Sequence, residues 1–126
     1  MYEHEKINYV EFPSRDLQET KRFFIRVFGW EFTDFGAEYT SFSGEGLDGG
    51  FYRAPMASRT AEGSALIIFY SRDLENTLLR IVQGGGGIVK PIFDFPGGRR
   101  FHFTEPSGNE FAVWSDQGEQ QGEQNV

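Results

Sequence analysis

His4 and His102 are the only imidazoles in the chain, and cysteine is absent. Thiol nucleophiles, thiolate metal sites and disulfides are therefore excluded. Glu11, Glu110 and His102 are the candidates for acid–base or hydrogen-bonding chemistry. Each has a plainer reading beside it: His102 as a hydrogen-bonded structural histidine, Glu11 as a solvated rim carboxylate. His4 falls in a polar N-terminal segment and is expected to be exposed. No Ser/His/Asp arrangement is visible. Arg99-Arg100 could grip an anionic molecule, or form the solvated end of a hairpin. Gly84–Gly87 follows a helical pattern and lacks a Lys-Ser/Thr, so it reads as a helix end and tight turn, not a phosphate loop. The 14 phenylalanines raise the aromatic share to 17%, enough to supply a core or an aromatic-walled pocket.

The elements that must position these residues repeat. Ser14-Arg-Asp-Leu-Gln-Glu-Thr20 matches Ser71-Arg-Asp-Leu-Glu-Asn-Thr77 at an offset of 71 − 14 = 57 residues. The same offset aligns Phe12 with Phe69 and Gly29 with Gly86 without a gap. Each half opens with a β-branched and aromatic strand, Ile7–Phe12 and Ala65–Tyr70. Asp16 and Asp73 are N-cap candidates, and Glu19 completes a capping box. Helix one carries Leu17, Phe23, Phe24, Val27 and Phe28 and ends at Gly29; helix two carries Leu74, Leu78, Ile81 and Val82. Three short strands follow each helix, at 30–35, 38–43 and 49–53, then at 88–92, 100–104 and 110–115. Gly44–Gly46 and Glu105–Asn109 are the hairpin turns.

The pattern is βαβββ, linker, βαβββ: an α+β fold of two modules whose paired curved sheets enclose a groove. One domain spans 1–116, with module one at 6–53, a linker at 54–63 and module two at 64–115. The polar stretch 117–126 reads as a disordered tail. The balance of 12 Lys+Arg against 19 Asp+Glu, a net −7, argues against nucleic acid and anionic membrane as partners. The longest apolar run, Ala65–Tyr70, is far below the ~20 residues that span a bilayer. No signal peptide is read at the N-terminus, and the cysteine-free composition suits the reducing cytoplasm.

Ile7-Asn-Tyr-Val-Glu-Phe-Pro13, Asp16-Leu17 and Phe28-Gly-Trp-Glu-Phe32 resemble the first module of the glyoxalase/bleomycin resistance/dioxygenase (vicinal oxygen chelate) superfamily. Gly98-Arg99, Phe101–Phe103 and Glu105-Pro-Ser-Gly-Asn109 resemble the last hairpin of its second module, a turn that usually reads Asp-Pro-x-Gly-Asn. The resemblance spans residue 6 to about 115. It implies the glyoxalase-like fold and two kinds of activity: metal-dependent lyases, isomerases and dioxygenases, or metal-free sequestering proteins. Metal-dependent members place His, Glu or Gln on the first and last strand of each module. On this chain those positions are Tyr9, Gly50, Leu66 and Ala112. Tyr is a rare ligand there, and the other three have no donor side chain, so no metal and no cofactor are expected.

Strand alternation sets the neighbours of those positions. With Phe101 and Phe103 assigned to the helix side, His102 faces the groove. Tyr9, Gly50, Tyr52, Leu66, Tyr70, His102, Ala112 and Trp114 are thus the expected ligand-binding set for a small organic molecule. Gly50 and Ala112 leave space, and the aromatics either wall a pocket or plug it. Three functions stay open: a metal-independent binding, sequestering or catalytic protein; a metal-dependent lyase, isomerase or dioxygenase with non-standard ligands, such as His102 with Glu11 or Glu110; and an interaction module with a plugged groove. A homodimer is expected.

Overall fold

The repeat is folded in its hydrogen bonds as well as its letters. Ser14 Oγ and Thr20 Oγ1 share a hydrogen bond of 2.8 Å; 57 residues on, Ser71 Oγ and Thr77 Oγ1 share one of 2.7 Å. The backbone amides of Asp16 and Asp73 each donate to the serine two residues earlier. Their carboxylates then cap a helix, accepting from the amides of Glu19 and Asn76. These caps satisfy donors that the first helical turn would otherwise leave unpaired.

The computed structural model describes residues 2–118; residues 119–126, most of the expected tail, lie outside the described residues. Module one is β1 (Tyr9–Ser14), α1 (Leu17–Phe28), β2 (Phe32–Asp34), β3 (Tyr39–Phe42) and β4 (Asp48–Arg53). Module two is β5 (Ile67–Tyr70), α2 (Leu74–Gln83), β6 (Gly87–Phe95), β7 (Gly98–Thr104) and β8 (Glu110–Ser115). Each module forms one four-stranded sheet, ordered β1-β4-β3-β2 and β5-β8-β7-β6. First and last strands run parallel, the others antiparallel. α1 ends at Gly29, whose φ of 72° is the left-handed conformation glycine adopts without strain, and whose N–H returns to Ile25 O.

Three local expectations need correction. Val82 is exposed: Leu74, Thr77 and Ile81 turn inward, and a residue one position on from Ile81 sits about 100° around the helix. The first strand runs from Tyr9 to Ser14 rather than Ile7–Phe12, and Ile7 is exposed outside the sheet. β6 runs to Phe95 with two register shifts, well past the expected end at Ile92.

The helix-facing sides of both sheets meet in one aromatic core. Phe24 of α1 touches Phe51 of β4 and Phe111 of β8, at ring centroids of 5.7 and 5.4 Å. Phe12 of β1 reaches Phe111 directly, at 5.1 Å. Burial of each such ring contributes about 1.5–3 kcal/mol. A polar clasp completes the junction. The buried Glu105 carboxylate accepts from Thr20 of α1, Ser107 and Asn109, while Asn109 also donates to Pro13 O and accepts from Ser58 N.

Candidate functional site

Register fixes which positions correspond between modules. Glu11 pairs with Gly50 in sheet one, and Ile68 with Ala112 in sheet two. The first strands are thus offset by 68 − 11 = 57 residues and the last strands by 112 − 50 = 62. Four of the five extra residues sit in the longer β6–β7 hairpin and one in the β7–β8 turn. Gly50 and Ala112 are true counterparts, as the sequence suggests.

On sheet one, Tyr9, Glu11, Gly50 and Tyr52 lie on the face away from the core. Tyr39 of β3 joins them, and the sequence reading missed it. Its hydroxyl donates to Glu11 Oε2 at 2.9 Å, so the 2.7 Å contact with Tyr9 places the Tyr9 proton toward Tyr39. Burial raises the Tyr39 pKa, and the hydrogen bonds with Tyr9 and Glu11 raise it further; it remains a phenol. The space expected above Gly50 belongs to this ring: a β-carbon on Gly50 would stand 2.1 Å from Tyr39 Oη. Tyr9 and Tyr52 remain exposed.

On sheet two, Phe101 and Phe103 are fully buried in the core, and His102 takes the opposite face as expected. His102 Nδ1 lies 2.9 Å from Glu110 Oε2, and its Nε2 lies 2.9 Å from Arg100 Nη2. A guanidinium can only donate, so Nε2 accepts and the Nδ1–H donates to Glu110. Glu110 also accepts from the Thr60 amide and hydroxyl, which brings the linker onto this face. Burial raises the Glu110 pKa, but the hydrogen bonds from His102 and Thr60 outweigh it and the net shift is downward. Ala112 is fully buried between its strand partners Ile68 and His102, so little space opens there. Tyr70 and Trp114 meet edge to face at 5.2 Å, and Tyr70 donates to Asp116.

Among the described residues no hydrogen bond or ring contact links the sheet-one group (Tyr9, Glu11, Tyr39, Tyr52) to the sheet-two group. Leu66 and Tyr70 instead border a cavity of about 590 Å³ between β1 and β5, walled by Val10, Phe12, Trp30 and Phe42. Residue pattern alone gives no sign of it, because it arises where the modules meet.

The residues present do not fit a chelated divalent ion. Among the described residues no three His, Cys, Asp or Glu side chains gather to hold one. Glu11 and Glu110 stand on different sheets, and both nitrogens of His102 are engaged.

The family model of the Glyoxalase/Bleomycin resistance protein/Dioxygenase superfamily matches residues 6–113. The chain belongs to this superfamily. It is 30% identical over 119 residues to the anthracycline biosynthesis protein DauV of Streptomyces sp. strain C5, covering 80% of this chain and 43% of DauV. CFP32 of Mycobacterium bovis is 28% identical over 118 residues, covering 85% of this chain and 44% of CFP32. The chain thus spans less than half the length of the curated relatives it matches. A glyoxalase-related enzyme from Fulvimarina pelagi superposes with a TM-score of 0.73 at 17% identity, covering 88% of each chain, a likeness of fold. No helix among the described residues is long and apolar enough to cross a membrane. Within the superfamily, fold alone does not select an activity.

Proposed function

We propose that this chain is a glyoxalase-superfamily protein that binds a small organic molecule without the divalent ion used by metal-dependent relatives. The observation carrying this reading is the set of side chains at the four ligand positions. Tyr9, Gly50, Leu66 and Ala112 offer one phenol among them, and Tyr39 fills the space over Gly50. Around them stand aromatic surfaces with few polar handles, the composition of a ligand site. The 590 Å³ cavity is of ligand size and shares Leu66 and Tyr70 with the expected binding set.

The same reading supports a homodimer. The expected ligand residues divide between two sheet faces without mutual contact, and a two-fold partner can bring one face opposite the other. His102 acts in this reading as a positioning residue, since neither nitrogen is free to take a substrate proton. Binding or sequestration is accordingly favoured over catalysis.

Elemental analysis of protein purified without chelator or metal-affinity resin tests the proposal. Expected is no stoichiometric Zn, Ni, Mn or Fe. About one transition metal per chain, lost on His102→Ala, would overturn it in favour of a metal enzyme with unusual ligands.

A further inference from the structure

Arg99 and Arg100 are neighbours in sequence and opposites in role. Strand alternation sends Arg99 to Glu75 of α2. Arg100 goes to the other face of sheet two, beside His102. Its guanidinium lies over the rings of Phe93 and Phe95, 5.8 and 5.9 Å from their centroids. One nitrogen donates to neutral His102, which Glu110 and Thr60 hold in place. The Nε is buried and has no hydrogen-bond partner. Among the described residues no carboxylate oxygen lies within 4.0 Å of this guanidinium.

A half-buried cation that no carboxylate touches directly is costly, and this one is fixed by a relay of three side chains, His102, Glu110 and Thr60, rather than left free in solvent. It stands at one wall of an apolar recess of about 350 Å³, whose other walls are Ile68, Phe95, Gly97 and Trp114. Trp114 and Phe95, 6.2 Å apart and steeply inclined, give two ring surfaces at different angles. One forked cation beside apolar walls suits a single planar anion attached to a ring. Several phosphates would need more cations than the recess provides.

We infer that the recess beside Arg100 binds an aromatic carboxylate of one or two rings, its carboxylate on the guanidinium and its ring against Trp114 and Phe95. This rests on the small-molecule reading above and names the class of molecule for the sheet-two half of that site.

Calorimetric titration of the full chain with naphthalene-2-carboxylate and its neutral isostere naphthalene-2-carboxamide tests the assignment. The carboxylate is expected to bind at least about tenfold more tightly. Arg100→Met should erase that preference and leave the two compounds equal, while Arg100→Lys should retain part of it. Thermal melts of each variant establish that it is folded. Equal affinity of the two compounds for the unaltered chain, with binding lost on Trp114→Ala, would overturn the anion assignment and leave the small-molecule site standing. Carboxylate binding unchanged in folded Arg100→Met would place the anion elsewhere and also overturn it, as would binding of neither compound. Binding that emerges only after truncation at Gly118 would make the chain's own C-terminal acids the partner of Arg100, again against the assignment.

Discussion

The Tyr39 hydroxyl stands 2.1 Å from where a β-carbon on Gly50 would have to be, so one residue's side chain occupies the space another residue leaves. The relationship crosses adjacent antiparallel strands, where Tyr39 pairs with Tyr52 and Ser41 with Gly50. It turns a vacant ligand position into a hydrogen-bonded cluster of Tyr9, Tyr39 and Glu11.

Gly50→Ala should therefore destabilise the chain by about 1–3 kcal/mol, because the tyrosine ring must swing out and surrender two hydrogen bonds. In a Tyr39→Ala background the same substitution should cost less, the remaining cost coming from the Thr40 carbonyl oxygen, 2.9 Å from the added β-carbon. Urea unfolding of the four-member cycle reads the coupling between the two sites. Additive costs would mean that the ring yields freely.

Glu105 gives a pH-dependent prediction. Burial raises its pKa, more than the hydrogen bonds from Ser107, Asn109 and Thr20 lower it. A carboxyl whose folded pKa is raised contributes stability that is fully present below its unfolded pKa and lost as pH rises through the folded one. The stability of the unaltered chain relative to Glu105→Gln should thus increase as pH falls from neutrality toward the ordinary carboxylate range. Melting temperatures of both proteins across that window measure the difference. A difference that shrinks on acidification would contradict the assignment.

The sequence carries the fold well. Caps at Asp16 and Asp73, the 57-residue offset and the turn glycines are local signals, and the hydrogen bonds at Ser14, Thr20, Ser71 and Thr77 repeat them. The candidate site is less legible. Alternation assigns His102 correctly because Phe101 and Phe103 need the core. Tyr39 escapes because its meaning depends on the strand beside it and on the absence of a side chain at Gly50. The opposed roles of Arg99 and Arg100 follow from the same alternation, but reading them as one charged pair hides it. The cavity between β1 and β5 and the Glu105 clasp come from packing between modules, which no local pattern encodes.

Substitutions in the sheet-two recess should separate binding from folding. Ile68 is exposed and lines both cavities, so Ile68→Trp fills them on a strand position that accepts an aromatic. Trp114→Ala removes a wall and keeps the space. Both variants are expected to fold and to lose affinity for aromatic and anionic small molecules that shift the melting temperature of the unaltered chain. Truncation after Gly118 should leave those shifts unchanged. Undiminished shifts in both folded variants would favour an interaction module with a closed groove.

Assembly is measurable directly. Sedimentation equilibrium at micromolar concentration should return twice the 14.4 kDa chain mass. A mass of one chain would place any complete ligand site within a single copy.

Metal-independent binding is the centre of this account, and one measurement addresses it most directly. The same protein is screened by thermal shift against aromatic and anionic metabolites, once as purified with excess EDTA and once with added Zn, Ni, Mn or Fe. The account predicts ligands whose stabilisation is the same in chelator and in metal, and is lost in Ile68→Trp. Ligands that stabilise the chain only when a divalent ion is supplied would contradict it.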